Sequence, residues 1–307
     1  MKISIVIISY NTKKLTGDCV KSIVEGTKGT KYEIIVVDNN STDGSTETLK
    51  KLQNSKTPKL QLKLIENQTN LGFGRANNQG IKKAKGRYVL FLNSDTVVND
   101  NVIGEMVEWM DENKDIGIAS CALRNRDGSL QGTGGHFPTL ARVFTWMTIQ
   151  DIPFVDKLIK PFHPMKEKSF VKGESFYEKE KEIDWITGAF FLMRKEVSKQ
   201  VGGFDEDYFM YTEEVDLCYR SKKVGWKIYY NPKWSITHLG GASGKKWSFV
   251  TREFDGVKLF YKKHYPKWQY PVLRLFLKTG AFWRMFLFGL LKGKGAAKAY
   301  AKAFFKA

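Results

Sequence analysis

The stretch FLNSD, residues 91–95, runs a short apolar segment into Asn93 and Asp95, two oxygen-bearing side chains one residue apart. Oxygens of this kind suit a hard divalent cation, which leans on one or two carboxylates and keeps room for water and substrate phosphates. A second concentration of carboxylates lies in DEDYFMYTEEVD, residues 205–216, where a general base for proton removal could be found. A single histidine, His238, ends the run WSITH. Each feature also has a plainer reading. Asn93 and Ser94 would cap a helix expected at 97–110. Glu213 and Glu214, opening a helix, would serve the positive end of its dipole, with Asp216 on the same face as Glu213. His238 would be a structural histidine.

The elements that must position these residues follow a regular alternation. Apolar runs at 3–8, 32–38, 60–66 and 87–93 are separated by helical patterns at about 14–24, 45–53 and 75–84. Near-continuous Ile, Val and Leu strands interleaved with helices predict a mostly parallel sheet covered on both faces, an α/β, doubly wound, Rossmann-like arrangement. Ligands of such sheets bind beyond the carboxyl ends of the strands. Those ends carry Asn11, Asp38 with VDNNSTDGS, the loop NLGFGRANN and LNSD, all on one edge. Each alone reads as a turn or helix cap; four together point to a nucleotide pocket. A dinucleotide is excluded, because GxGxxG should follow the first strand and SYNTKKL stands there instead.

In order and spacing, VVDNNSTDGS, NLGFGRANNQG, LNSD, DWITGAFFLMRKEV, VGGFDEDYFMYTEEVDLCYR and HLGGAS resemble the bacterial family 2 glycosyltransferases, and most of all their rhamnosyltransferase-like members. The likeness covers residues 2–245. It implies a GT-A fold, a cofactor cation (Mg²⁺ or Mn²⁺) and a nucleotide-diphosphate sugar donor, dTDP-rhamnose first and a UDP-sugar second. Asp95 matches the second, metal-binding carboxylate of the family's DxD motif, and Asn93 takes the first position with one charge fewer. By the same register Glu214 occupies the place of the catalytic aspartate, one methylene longer, with Glu213 beside it. In metal-dependent relatives a histidine at the place of His238 completes the metal site. The nucleotide-sugar set is then Asp38, Asn40, Gly72, Arg75, Asn93 and Asp95. Arg75 suits phosphate oxygens, and is otherwise one surface arginine among many. Trp185 and Gly188 match the segment that faces the acceptor, although a tryptophan beside Ile183 and Ile186 could equally be core. His136, His163 and His264 match nothing and read as structural.

Composition sets the frame. The 307 residues hold enough apolar side chain for a large core, and the balance of 50 Lys and Arg against 32 Asp and Glu gives +18, which suits a polyanionic surface. Carboxylates at the presumed site argue against a nucleic acid as partner. The start KISIVIISY reads as a strand and not a cleavable signal. Three scattered cysteines, Cys19, Cys121 and Cys218, indicate neither a disulfide framework nor zinc, and fit a reducing cytoplasm. After Asp255 there is no acidic residue. The stretch 271–293 is apolar but carries Arg274, Lys278, Arg284 and Lys292 on one arc, and Lys294, Lys298, Lys302 and Lys306 repeat every four residues. That is the pattern of interfacial helices rather than a bilayer span. The expected organisation is a catalytic domain at 1–245, with a nucleotide-sugar half at 1–123 and an acceptor half at 124–245, then a basic amphipathic helical extension at 246–307. The implied acceptor is a lipid-linked saccharide, met by a cytoplasmic enzyme peripheral on an anionic membrane. Residues 124–182 offer a hairpin turn at Asp127-Gly128 and otherwise read as irregular, as a lid over the site would.

Overall fold

In the computed structural model, which describes residues 1–55, 61–149, 159–164, 176–240 and 247–307, strand and helix alternate as the apolar runs require. Ile3–Ser9 (β1), Lys13–Gly26 (α1), Tyr32–Asp38 (β2), Ser45–Gln53 (α2), Leu62–Glu66 (β3), Phe73–Lys83 (α3) and Tyr88–Asn93 (β4) form the first half. Thr96–Val97 (β5), Val102–Glu112 (α4), Ile116–Arg124 (β6), Leu130–Gln131 (β7), Gly134–Gly135 (β8) and Leu140–Met147 (α5) follow. Then come Lys181–Glu182 (β9), Trp185–Ile186 (β10), Phe190–Arg194 (β11), Lys195–Val201 (α6), Glu213–Lys223 (α7) and Lys227–His238 (β12). Ser248–His264 (α8), Gln269–Lys292 (α9) and Lys294–Lys306 (α10) close the chain.

The main sheet runs β3-β2-β1-β4-β11-β6-β12-β5. Strands β1 to β4 pair in parallel, as do β6 and β12, while β11 lies antiparallel between β4 and β6. This is the expected mixed, mostly parallel sheet, and β11 makes residues from both expected halves part of it. Side chains alternate across it with period two. Ile3, Ile5 and Ile7 enter one core with α1 and α4, whereas Val6 enters the other with Phe91, Phe191 and Phe204. Phe254 and Phe260 of α8, Leu273 and Leu277 of α9 and Ala303 of α10 belong to that second core too. The expected division at 245–246 falls within 241–246, outside the described residues.

One expected element is corrected. The helix placed at 97–110 starts at Val102, because Thr96 and Val97 form β5, with Thr96 opposite His238 on β12. A β-branched pair favours the extended backbone. Asn93 and Ser94 therefore cap nothing, and Ser94 Oγ instead accepts from Thr12 Oγ1 at 3.2 Å.

Candidate active site

Strand β2 delivers Asp38 to the carboxyl edge of the sheet. Its carboxylate is buried, and Oδ2 accepts from the Ser41 backbone N–H at 2.9 Å and Thr46 Oγ1 at 3.2 Å. Oδ1 is also buried but has no partner. A buried acceptor without a donor is costly, and a ligand N–H or O–H would relieve it. Asn40, two residues on, is exposed and left-handed at φ 68°. Asn39, which the sequence did not single out, ties this loop to the next one: its Nδ2 donates to the Gly72 carbonyl at 3.2 Å and its Oδ1 accepts from Asn67 at 2.9 Å.

Gly72 has φ 82°, and a Cβ there would collide with the Phe209 carbonyl. The neighbouring Phe73 N–H donates to that same carbonyl at 2.9 Å. Only glycine permits this approach, which holds the 204–212 loop against the start of α3. Arg75 lies on the same seam, donating from Nε to the Glu206 carbonyl at 3.1 Å, with half of its side chain exposed.

At the end of β4 the pair read from LNSD meets the histidine read from WSITH. Asp95 Oδ1 and His238 Nε2 are 3.3 Å apart, and Asn93 Nδ2 is 3.3 Å from the same ring nitrogen. Pairing of β5 with β12 and the bond from Leu239 N–H to the Asp95 carbonyl at 2.8 Å hold the two ends together. Among the described residues no three His, Cys, Asp or Glu side chains converge as a metal cluster. The donor set here is one carboxylate, one imidazole and one amide, a set that suits a hard cation finishing its shell with phosphate and water. The Asn93 N–H donates to the Ala189 carbonyl at 3.2 Å, which brings the Thr187-Gly188-Ala189 step beside the pair. Gly188 itself is filled from α3, since a Cβ there would stand 2.7 Å from the Phe73 ring. Trp185 is buried, its indole N–H on the His136 carbonyl at 3.1 Å and its ring against Phe162 and His163, so the core alternative describes its surroundings.

Helix α7 begins at the carboxylate pair. Glu213 is buried, and an Oε2 on each of Glu213 and Glu214 is buried without a partner. Burial, with the Glu253 charge adding to it, pushes the Glu214 carboxyl up to about 7. Burial and then the Glu214 charge push Glu213 well above the ordinary carboxylate range. The helix turns the two in different directions. The helix packs against β10, directly before Thr187-Gly188-Ala189. Asp216 is wholly buried and held by Arg220 Nε at 2.7 Å and His264 Nε2 at 2.6 Å. His136 and His163 likewise stand beside carboxylates, Asp184 at 3.3 Å and Glu253 at 2.7 Å, as structural histidines do. The three cysteines are free and buried.

The geometry thus gathers Asp38, Gly72, Asn93, Asp95, Gly188 and His238 along one edge, with α7 facing it across β10. The glycosyl transferase family 2 model matches residues 4–202, about two thirds of the chain. The chain belongs to that family. Among curated proteins it is 26% identical over 190 residues to rhamnosyltransferase WbbL of Escherichia coli K12, covering 60% of this chain and 66% of that one. It is 27% identical over 218 residues to the N-acetylglucosaminyl-diphospho-decaprenol L-rhamnosyltransferase of Mycobacterium tuberculosis, covering 67% of this chain and 66% of that one. The chain thus spans just under two thirds of the length of these relatives. Among solved structures, a mannosyltransferase of Pyrobaculum calidifontis in complex with GDP-Man and Mn²⁺ superposes with TM-score 0.59 at 17% identity, covering 98% of this chain and 73% of that one. Staphylococcus aureus TarS 1-349 in complex with UDP gives 0.55 at 16% identity, covering 92% and 80%. These likenesses establish the GT-A fold.

The C-terminal helices depart from expectation in one respect. The predicted cationic arc of α9 is split: Arg284 turns inward, Lys278 is half-buried, and Arg274 and Lys292 are exposed. Arg284 is buried and donates to the Trp146 carbonyl, and Arg274 Nε donates to the Ala307 carbonyl at 2.6 Å. Gly280 lets α5 approach, its Cβ position 2.5 Å from Met147 Cβ. Phe276 is half-buried with its ring 5.1 Å from Phe144. Large apolar side chains face out as well: Trp283 at 64% and Leu290 at 87% exposure, with Phe286, Leu287 and Leu291. Lys294, Lys298, Lys302 and Lys306 on α10 are exposed. No described helix is long and apolar enough to cross a membrane.

Proposed function

We propose that this chain is an inverting, metal-dependent glycosyltransferase that moves L-rhamnose from dTDP-rhamnose to a polyprenyl-diphosphate-linked saccharide in the making of cell-surface polysaccharide. The observation that carries the reading is the meeting of Asp95 and His238 at 3.3 Å on the carboxyl edge of the sheet. It is supported by the unpartnered Asp38 Oδ1 on the same edge and by a carboxylate near neutrality on α7.

Asp38 accepts a hydrogen bond from the base or ribose of the donor, and Asn40 and Gly72 line its path. Arg75 offers its guanidinium to the diphosphate. Asp95 and His238, with Asn93 beside them, would hold Mg²⁺ or Mn²⁺, and such a cation would supply charge neutralisation for the departing diphosphate. Glu214 accepts the proton of the acceptor hydroxyl as that oxygen attacks the anomeric carbon from the face opposite the leaving group, which inverts the centre. The Gly188 step and Glu213 line the acceptor side, with Trp185 buttressing it from the core.

The reading of the acceptor class is supported by the relatives and by the exposed apolar residues of α9. Exposed apolar side chains on one helix and an exposed lysine ladder on the next suit an anionic bilayer surface, and an enzyme resting there from the cytoplasmic side meets sugars carried on lipid diphosphates. The second reading is a UDP-hexose donor on the same fold. Calorimetry with Mg²⁺ separates the two: dTDP and dTDP-rhamnose bind under the first, while tight binding of a UDP-hexose with none of dTDP selects the second.

A further inference from the structure

The His238 ring is gripped on its far side by a residue outside the motifs. At Leu123, β6 is flanked by Gln131 of β7 and by Ile236 of β12, so Gln131 is one strand away from the end of β12. Gln131 Oε1 lies 2.8 Å from His238 Nδ1, while Gln131 Nε2 donates to the His238 carbonyl and to Asn125 Oδ1, both at 2.6 Å. Asn125 Nδ2 in turn donates to Ser129 Oγ at 2.9 Å, and Ser129 Oγ donates to Asp127 Oδ1 at 2.6 Å.

The direction of this chain is fixed at its ends. A backbone carbonyl and a carboxylate only accept, so the Gln131 amide must point its NH₂ at the His238 carbonyl and its oxygen at the ring. An amide oxygen also only accepts, so Nδ1 must carry the proton. With Nδ1 protonated, the neutral ring presents a bare Nε2 to Asp95 Oδ1 at 3.3 Å. Asn93 Nδ2, 3.3 Å away, can donate to that lone pair, while Nε2 and the Asp95 oxygen, both acceptors, face each other, an arrangement that a cation between them would stabilise.

We infer that Gln131 is a positioning residue which fixes His238 in the Nδ1–H form and turns its Nε2 lone pair toward Asp95. The purpose of that orientation rests on the metal reading above; the orientation itself does not. The turn at 125–129 is the end of the relay and sets its polarity through Asp127.

Two measurements keep these apart. Long-range ¹H–¹⁵N spectra of histidine-labelled full-length protein without metal, at a pH of about 8.5 where imidazoles are neutral, report the tautomer. Wild type should show Nδ1–H with Nε2 bare. Gln131→Met should move the ring to Nε2–H or to a mixture, and Gln131→Glu, which keeps the acceptor, should restore Nδ1–H. A wild-type ring protonated on Nε2 or on both nitrogens overturns the inference, as does an unchanged tautomer in Gln131→Met. Separately, Mn²⁺ binding in the presence of dTDP, followed by electron paramagnetic resonance, should weaken about 10–100-fold in Gln131→Met. If His238→Ala leaves that affinity unchanged while the tautomer behaves as expected, His238 is not a metal ligand, and the hold of Gln131 on the ring stands.

Discussion

Asp216 Oδ1 and His264 Nε2 stand 2.6 Å apart, and Arg220 occupies the other oxygen of the same buried carboxylate. Both lone-pair faces of Asp216 are thereby committed to the protein, which leaves Glu213 and Glu214 as the carboxylates of α7 with unsatisfied oxygens. Glu214→Gln keeps size and shape but takes no proton, so transfer should fall by roughly 10²–10⁴-fold with donor affinity unchanged. Asp216→Asn should act first on stability, by roughly 3 kcal/mol, since it leaves the Arg220 guanidinium without its buried carboxylate. Rates and calorimetric donor affinities of both variants, with their denaturation midpoints, distinguish the roles. Near-normal transfer by Glu214→Gln moves the base to Glu213.

The raised Glu214 carboxyl has a pH signature. A base must be ionised, so kcat/KM should rise with pH through an apparent value near 7 rather than near 4.5, and the Glu214→Gln profile should lose that limb. Stability runs the other way. A carboxyl held up in the folded protein contributes stability at low pH, and that contribution is lost as pH climbs from about 4.5 through about 7. Wild type should lose more stability across that window than Glu214→Gln does, as read from urea midpoints.

At φ 82° with the Phe209 carbonyl against it, Gly72 tolerates no side chain. Gly72→Ala should cost about 1–3 kcal/mol and loosen the 204–212 loop from α3. Lower thermal stability together with weaker donor binding would be seen; an unchanged donor affinity would detach this loop from the nucleotide site.

Much of this was legible in the sequence because the physics is local. The runs KISIVIIS and YEIIVVD leave few options other than buried parallel strands, and β2 and α2 occupy the residues that the pattern gives them. Asp38 and LNSD could be placed on one edge because strand ends of such sheets face it, and His238 was joined to Asp95 only through the family resemblance. What stayed hidden depends on contacts distant in sequence. Nothing local to Thr96-Val97 says that β12 will pair with it, so a helix was expected there. Gln131 is an ordinary polar residue in a hairpin until His238, 107 residues away, comes to lie beside it. Arg284 looks like one more cation of a stripe, and only the approach of α5 at Gly280 shows that it is buried.

Because α8, α9 and α10 share a core with the rest of the chain, the membrane proposal is tested with surface substitutions and not by truncation. Trp283→Ser, Phe286→Ser and Leu290→Ser together remove exposed apolar surface and should leave folding nearly unchanged. Sedimentation with anionic vesicles should drop at least tenfold, and high salt should weaken wild-type binding only in part, since screening acts on the lysines and not on the apolar face. Equal sedimentation of the triple variant and wild type would refute a docking role for α9.

The central claim is sugar transfer at the Asp95–His238 edge, and the most direct measurement is passage of radiolabel from dTDP-[¹⁴C]rhamnose into a polyprenyl-diphosphate-saccharide extracted into solvent. The label should move with Mg²⁺ or Mn²⁺ present, stop with EDTA, resume when the cation is restored, and fail in a folded Asp95→Asn variant. Full transfer in EDTA or by Asp95→Asn would contradict the account, and so would transfer from a UDP-hexose alone, which would leave the fold and family in place but the donor wrong.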